Sequence, residues 1–178
     1  MNLFLLSVSI VCAEPPVPVA KTGQTTSYRT GDDGDHEKGV AVPYPRFTDN
    51  GDGTVTDNLT GLMWAKNANL DNGTMTWTDA IDYANNLSMG SDGCGSSYAD
   101  WRLPNVKELE SQIDHSYFNP PLPSDYPFLN VQSDLFYWTS TASASNTSIA
   151  WNVNMYNGVV NFGTKTNGDY VWPVRSGN

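Results

Sequence analysis

The chain has 178 residues, enough for one domain with a hydrophobic core of its own. Its formal net charge is −10, with only nine Lys plus Arg. That balance argues against nucleic acid and anionic membrane surfaces as partners, because both are held by basic patches that displace counterions, and it counts against a strongly sulfated ligand unless the few basic residues cluster.

The opening MNLFLLSVSIVCAE carries an apolar run from Leu3 to Val11, followed by Cys12 and Ala13. A short apolar stretch ending in small residues reads as a secretory leader over residues 1–13, although no Lys or Arg precedes it. It is too short to span a bilayer, which needs roughly 20 apolar residues. The expected location is therefore secreted, periplasmic or at the cell surface, with no transmembrane segment. Ser9-Ile10-Val11 is a poor match to a lipoprotein signal ahead of Cys12. Without the leader Cys94 is the one cysteine left, which excludes a disulfide framework. Burial, pairing with Cys12 in a chain that keeps its leader, and a link between two chains are all open to Cys94.

Residues 14–45 are rich in Pro, Gly and Asp. Glu14-Pro15-Pro16-Val17-Pro18 is extended, and Lys21 to Gly39 holds hardly any large apolar residue. This segment either lies over the domain or belongs to a stalk. The domain is expected over residues 46–178. In RFTDNGDGTVTDNLTGLMW, the turn signals Asn50-Gly51 and Asp52-Gly53 separate strands at Arg46–Asp49 and Thr54–Asp57, and a turn through Gly61 leads into Leu62–Trp64.

Two helices follow. In TWTDAIDYANNL, Trp77, Ala80, Ile81, Ala84 and Leu87 recur at helical spacing behind a capping pair, Thr76 and Asp79. In LPNVKELESQID, Asn105 caps with Glu108 three residues on, and Val106, Leu109 and Ile113 share a face. Gly90 to Asp100 is a loop. Phe136–Thr141 then reads as a strand, and a hairpin closes the chain. Strands, two helices and strands again make an α+β domain with small antiparallel sheets.

The closing hairpin, AWNVNMYNGVVNFGTKTNGDYVWPVR, alternates like a strand yet is loaded with asparagine, which strands avoid. Asn157-Gly158 predicts a two-residue turn that pairs Tyr156 with Val159, Met155 with Val160, Asn154 with Asn161 and Val153 with Phe162. That register gathers Trp151, Val153, Met155, Val160 and Phe162 on an inward face, and Asn152, Asn154, Tyr156 and Asn161 on an outward one. From Trp138 to Asn178 the only charged residues are Lys165, Asp169 and Arg175. A near-neutral face of Asn and Tyr has the composition of a recognition surface, and a solvated strand face that binds nothing would look the same. The candidate ligand-binding residues are Asn152, Asn154, Tyr156 and Asn161, followed by Asn167 and Tyr170.

The blocks FTDNGDGTVTDNLTGLMWAKNAN, DWRLPNVKEL, YWTST, AWNVNMYNG and YVWPVR resemble, in this order, the Lcl C-terminal domain family of bacterial secreted domains, over about Gly23 to Arg175. WRLPNVKELE is also similar to a block of formylglycine-generating-enzyme-like domains. Both groups are similar to the C-type lectin fold, so the resemblance implies a C-type-lectin-like domain. For the collagen-like adhesin that names the family it implies trimeric assembly and glycosaminoglycan binding; the acidity of this chain and its lack of a collagen-like repeat set that ligand aside. Related lectin-like domains serve as diversified receptors of retroelement systems, in which Asn codons of a C-terminal segment are mutational targets. Family members often have Cys where Leu70 stands, the implied partner of Cys94.

Little in the sequence points to catalysis. Asp114-His115-Ser116 contains triad residue types, but triads assemble in space and adjacency carries no weight. The chain has no zinc spacing, and it lacks the paired cysteines near the end of the domain on which the formylglycine-generating reaction depends. Asp32, Asp33, Asp35, Asp49, Asp52 and Asp57 offer oxygen ligands but follow no EF-hand pattern and are ordinary turn residues. Trp151-Asn152 is similar to the WND element of calcium-dependent lectins, with Val153 where the Asp should stand. No metal and no cofactor are expected. Trp64, Trp77, Trp101 and Trp138 fall within apolar patterns and are expected mostly in the core. The expectation is a non-enzymatic ligand-recognition domain, adhesin-like or lectin-like, that binds a glycan or protein partner. The alternatives are a structural or assembly module, a degenerate enzyme, and a variable receptor of a diversity-generating system.

Overall fold

The computed structural model describes residues 19–91 and 97–177. The leader, Cys12 and Cys94 lie outside the described residues. Among those described, the chain mixes short helices with two small antiparallel sheets. α1 (Asp33–His36) precedes a meander of β1 (Phe47–Asp49), β2 (Thr54–Asp57) and β3 (Leu62–Ala65). Then come α2 (Trp77–Asn85), α3 (Val106–Glu110), β4 (Phe136–Ala142), β5 (Ile149–Asn154), β6 (Val160–Thr164) and β7 (Val174–Ser176). The first sheet has the order β1-β2-β3-β7 and the second β4-β5-β6.

Local chemistry places the meander and the helices where the sequence puts them. Asp49 accepts from the Gly51 N–H and Asp52 from the Thr54 N–H, so side chains tie down the turn between β1 and β2. At α2 the Thr76 hydroxyl oxygen accepts from the Asp79 N–H. At α3 the capping box is complete: Asn105 Oδ1 accepts from the Lys107 and Glu108 amides, and Glu108 accepts from the Asn105 N–H at 2.8 Å. Glu108 also holds Arg102 with two bonds of 2.7 Å, which fixes the strand-like entry to the helix.

β7 was not expected from its sequence. It pairs with β3, Trp64 opposite Val174, and its other edge is taken by Arg102. The N-terminal segment lies against the domain: His115 donates its N–H to Thr22 O, and the Ser116 hydroxyl donates to Gly23 O.

The second sheet lies between two clusters. Tyr137 and Val153, a cross-strand pair, belong to the larger one, with Val55, Trp64, Leu109, Ile113 and Trp172. Trp138 and Ala150 belong to the smaller one, with Ala80 and Ala84 from α2. Trp64, Trp101 and Trp138 are buried as expected, while Trp77 is half-buried beneath Lys165, whose Nζ lies 3.9 Å from the ring.

The hairpin register differs from the expected one. Val153 pairs with Val160, Asn152 with Asn161 and Trp151 with Phe162, a shift of two residues. The reason lies in the turn. Asn154 accepts the Tyr156 N–H on its side chain at 2.7 Å and the Gly158 N–H on its backbone, and it donates its own N–H to Val159 O. A four-residue loop, 155–158, therefore replaces the two-residue turn, and Asn157-Gly158 occupies its last two positions. The slip is even, so each side chain keeps the face the pleat assigns it.

Candidate functional site

The expected outward face of asparagines does not exist as one surface. Asn152 is only 2% exposed, and its Nδ2 donates to Asp169 Oδ2 at 2.8 Å. It faces the smaller cluster beside Trp138, because α2 covers that side of the sheet. Asp169 is likewise buried, and burial pushes its carboxyl above the ordinary range, with the Asn152 hydrogen bond offsetting part of the rise. Tyr170 is buried too, its ring 5.5 Å from that of Tyr137 and its hydroxyl directed at Asp134 at 3.4 Å. Asn152 and Tyr170 thus lie inside the fold and not on the outward face expected for them.

The remaining candidates sit at or near the surface. Asn154 is half-buried and has both ends of its amide engaged within the chain, Nδ2 donating to Leu135 O at 3.2 Å and Oδ1 accepting from the Tyr156 N–H. Asn161 is exposed and accepts the Phe162 N–H at 2.9 Å. Asn167 is exposed in a separate turn, its N–H on Thr164 O. Tyr156 alone among the six presents a large side chain to solvent, at 48% exposure.

What the fold brings to Tyr156 is a second aromatic residue. Phe118, 73% exposed, meets the Tyr156 ring edge-on with centroids 6.5 Å apart. The approach is fixed by backbone: Asn119 donates its N–H to Tyr156 O at 2.8 Å, and Tyr117 donates to Asp114 O in the same loop. Tyr117, Leu135, Val159 and Phe162 are also substantially exposed. Phe162 was expected on the inward face. It stays on that face but lies outward of Trp151, ring against ring at 6.0 Å, where the core has ended. The signal for Phe118 in the sequence was faint: two aromatic residues in HSYFNPP, just ahead of prolines that break regular structure.

The acidic residues of the turns act as local caps. Asp32 accepts from the amides of Tyr28, Arg29 and Asp35; Asp49 pairs with Lys66; Asp52 accepts from Thr54 and the Ser91 N–H; Asp57 pairs with Arg46. Among the described residues no three His, Cys, Asp or Glu side chains come together to hold a metal ion. Ser116 directs its hydroxyl to Gly23 O, so Asp114-His115-Ser116 forms no triad. A cleft of about 620 Å³ separates the N-terminal segment from α3, lined by Val19, Val40, Lys107, Ile113 and His115 among others. Its lysines are engaged in ion pairs, Lys21 with Glu37 and Lys107 with Glu110.

Around Tyr156 and Phe118 the surface offers aromatic edges and aliphatic side chains, Leu135 and Val159 among them. Comparison with known proteins gives one family. The model described as the Lcl C-terminal domain matches residues 53–175. No curated protein matches the chain.

Proposed function

This chain belongs to the Lcl C-terminal domain family, and we propose that it is a surface-protein module that recognises a glycan or protein ligand without catalysis. The observation that carries this reading is the exposed aromatic pair Tyr156–Phe118 at the hairpin tip, held by a backbone hydrogen bond and set in an uncharged stretch of an acidic chain. Rigid aromatic rings give contact area at low entropic cost, and an uncharged patch avoids the desolvation penalty of charges. The binding residues of this reading are Tyr156 and Phe118, with Asn154 as the residue that shapes the loop beneath them. A C-type-lectin-like fold is supported by two small sheets flanked by helices, with the last strand returning to the first sheet. A secreted, periplasmic or surface location is in keeping with the family; no described helix is long and apolar enough to cross a membrane.

The test is a glycan array probed with the purified chain, with and without EDTA, alongside Tyr156→Ala and Phe118→Ala. Binding that both substitutions weaken roughly tenfold or more, at unchanged thermal midpoint, is the expected result. Binding indifferent to both would remove the hairpin tip from the site. A folded chain that binds no glycan would leave a protein ligand or a purely structural role.

A further inference from the structure

The asparagine oxygens around the hairpin tip are engaged by their own chain. Asn154 accepts from the Tyr156 N–H at 2.7 Å, Asn157 from the Val159 N–H at 3.1 Å and Asn161 from the Phe162 N–H at 2.9 Å. The Asn154 amide nitrogen donates to Leu135 O, and the Tyr156 carbonyl accepts from the Asn119 N–H. These bonds take up donors and acceptors that the hydroxyls of a sugar would need. The apolar area beside them is uncovered. Phe118 is 73% exposed, and Tyr117, Leu135, Tyr156 and Val159 are each between 40% and 48%.

The charges that border this area are of one sign. From Ser111 to Thr164 the sequence holds Asp114, Asp125 and Asp134 and no Lys or Arg. Asp134, exposed, directly precedes Leu135, and half-buried Asp114 accepts the Tyr117 N–H on its backbone carbonyl. Neither carboxylate has a cation. Asp134 takes the Tyr170 hydroxyl at 3.4 Å, and Asp114 takes the Ser116 N–H at 2.9 Å. Elsewhere in the described chain Asp49, Asp57 and Asp100 are each paired, with Lys66, Arg46 and Arg175.

We infer that the partner at Tyr156 and Phe118 is a protein segment whose exposed apolar side chains are flanked by Lys or Arg. The apolar side chains cover the two rings, Leu135 and Val159, and the flanking cations meet Asp134 and Asp114. This is the ordinary plan of a protein interface, an apolar centre within a polar rim. The net charge of −10 acts in the same direction at longer range, drawing a basic partner in and turning acidic ones away. The inference rests on the reading of the tip as a ligand site and chooses between its two ligand classes.

A phage-displayed library of random dodecapeptides, panned on the purified chain, tests it. The enriched sequences are expected to carry aromatic or aliphatic residues with Lys or Arg on either side. A synthetic peptide of that sequence, titrated by calorimetry, should bind roughly tenfold or more weakly to Tyr156→Ala and to Phe118→Ala. Asp134→Asn, at an exposed position and with an unchanged thermal midpoint, should weaken it about threefold, and added salt should weaken it further. Enriched peptides that are neutral or acidic, or an affinity indifferent to salt and to Asp134→Asn, would overturn the basic partner and leave the tip a ligand site. No enriched peptide, with glycans bound through Tyr156 on the array, would overturn the protein ligand and keep the site. Binding of neither kind, or binding that ignores both aromatic substitutions, would remove the site itself.

Discussion

Asn152 and Asp169 face one another at 2.8 Å inside the smaller cluster, a buried amide on a buried carboxylate. Burial raises the Asp169 pKa above its ordinary 3.8. The folded chain therefore holds this proton more tightly than the unfolded one, and the contribution of Asp169 to stability is full below pH 3.8. It falls as pH rises through the window between that value and the raised folded value, and is flat above. Asp100, whose carboxyl the Arg175 hydrogen bond holds low, acts in the opposite sense. The readout is thus the difference between the wild-type and Asp169→Asn thermal midpoints from acid to neutral pH. The variant should gain on the wild type as pH rises through the window; parallel curves would mean that Asp169 titrates normally. Asn152→Ala, which removes the donor and leaves the carboxylate buried, should cost about 1–3 kcal/mol.

Arg46 and Asp57 form a second buried polar contact, and a charged one, with Nη2 and Oδ2 at 3.2 Å. Asp57 also accepts from the Leu59 N–H at 3.0 Å and the Thr60 hydroxyl at 2.9 Å, and Arg46 donates to Ser111 O, which ties β1 and β2 to the end of α3. Arg46→Met leaves Asp57 buried without its cation and should cost about 3–5 kcal/mol in urea denaturation. Adding Asp57→Leu should recover only part of this, because the turn through Leu59 and Thr60 then loses its acceptor. Full recovery would show the turn contacts to be worth nothing.

Gly158 fixes how close the hairpin comes to Ile113, just beyond the end of α3. Its φ is +77°, and a Cβ built there would meet Ile113 Cγ2 at 2.7 Å. Gly158→Ala should therefore destabilise by roughly 1–2 kcal/mol from the backbone alone, and more if Ile113 does not yield. Ile113→Ala should lessen the penalty in a double-mutant cycle, whereas an unchanged penalty would assign the cost to φ.

The parts of this fold that were legible in the sequence are those decided within a few residues. Asn105 and Glu108 announce α3, and Asn50-Gly51-Asp52-Gly53 announces the turn between β1 and β2, because both partners of each contact lie in the same short stretch. The hairpin shows where that stops. Asn157-Gly158 correctly marks a turn, but Asn154, three residues earlier, has the side chain that makes the loop two residues longer. The burial of Asn152 was beyond any local reading, since alternation marks which residues share a face and not whether something covers it. The partner that makes its burial tolerable, Asp169, follows β6 in sequence but docks beside β4 at the opposite edge of the sheet. Phe118 was missed likewise, because its exposure depends on a loop docked to Tyr156 by a single amide. Of the six candidate residues Asn152 and Tyr170 are buried, Asn154 is held by bonds within its loop, and Tyr156, Asn161 and Asn167 face solvent.

The pairing of β7 with β3 has a consequence for how the molecule is made. Three strands of the first sheet come early and close together, between Phe47 and Ala65, yet the fourth begins only at Val174. Until Val174 is in place, β3 has a bare edge, Arg102 lacks the strand it bridges to, and Met63 and Trp64 are uncovered on that side. Such a long-range closure is slow and cannot be completed on a growing chain. The domain therefore locks only once the chain has been made through β7, and a truncation at Val174 would deprive the earliest strands, rather than the latest, of their support.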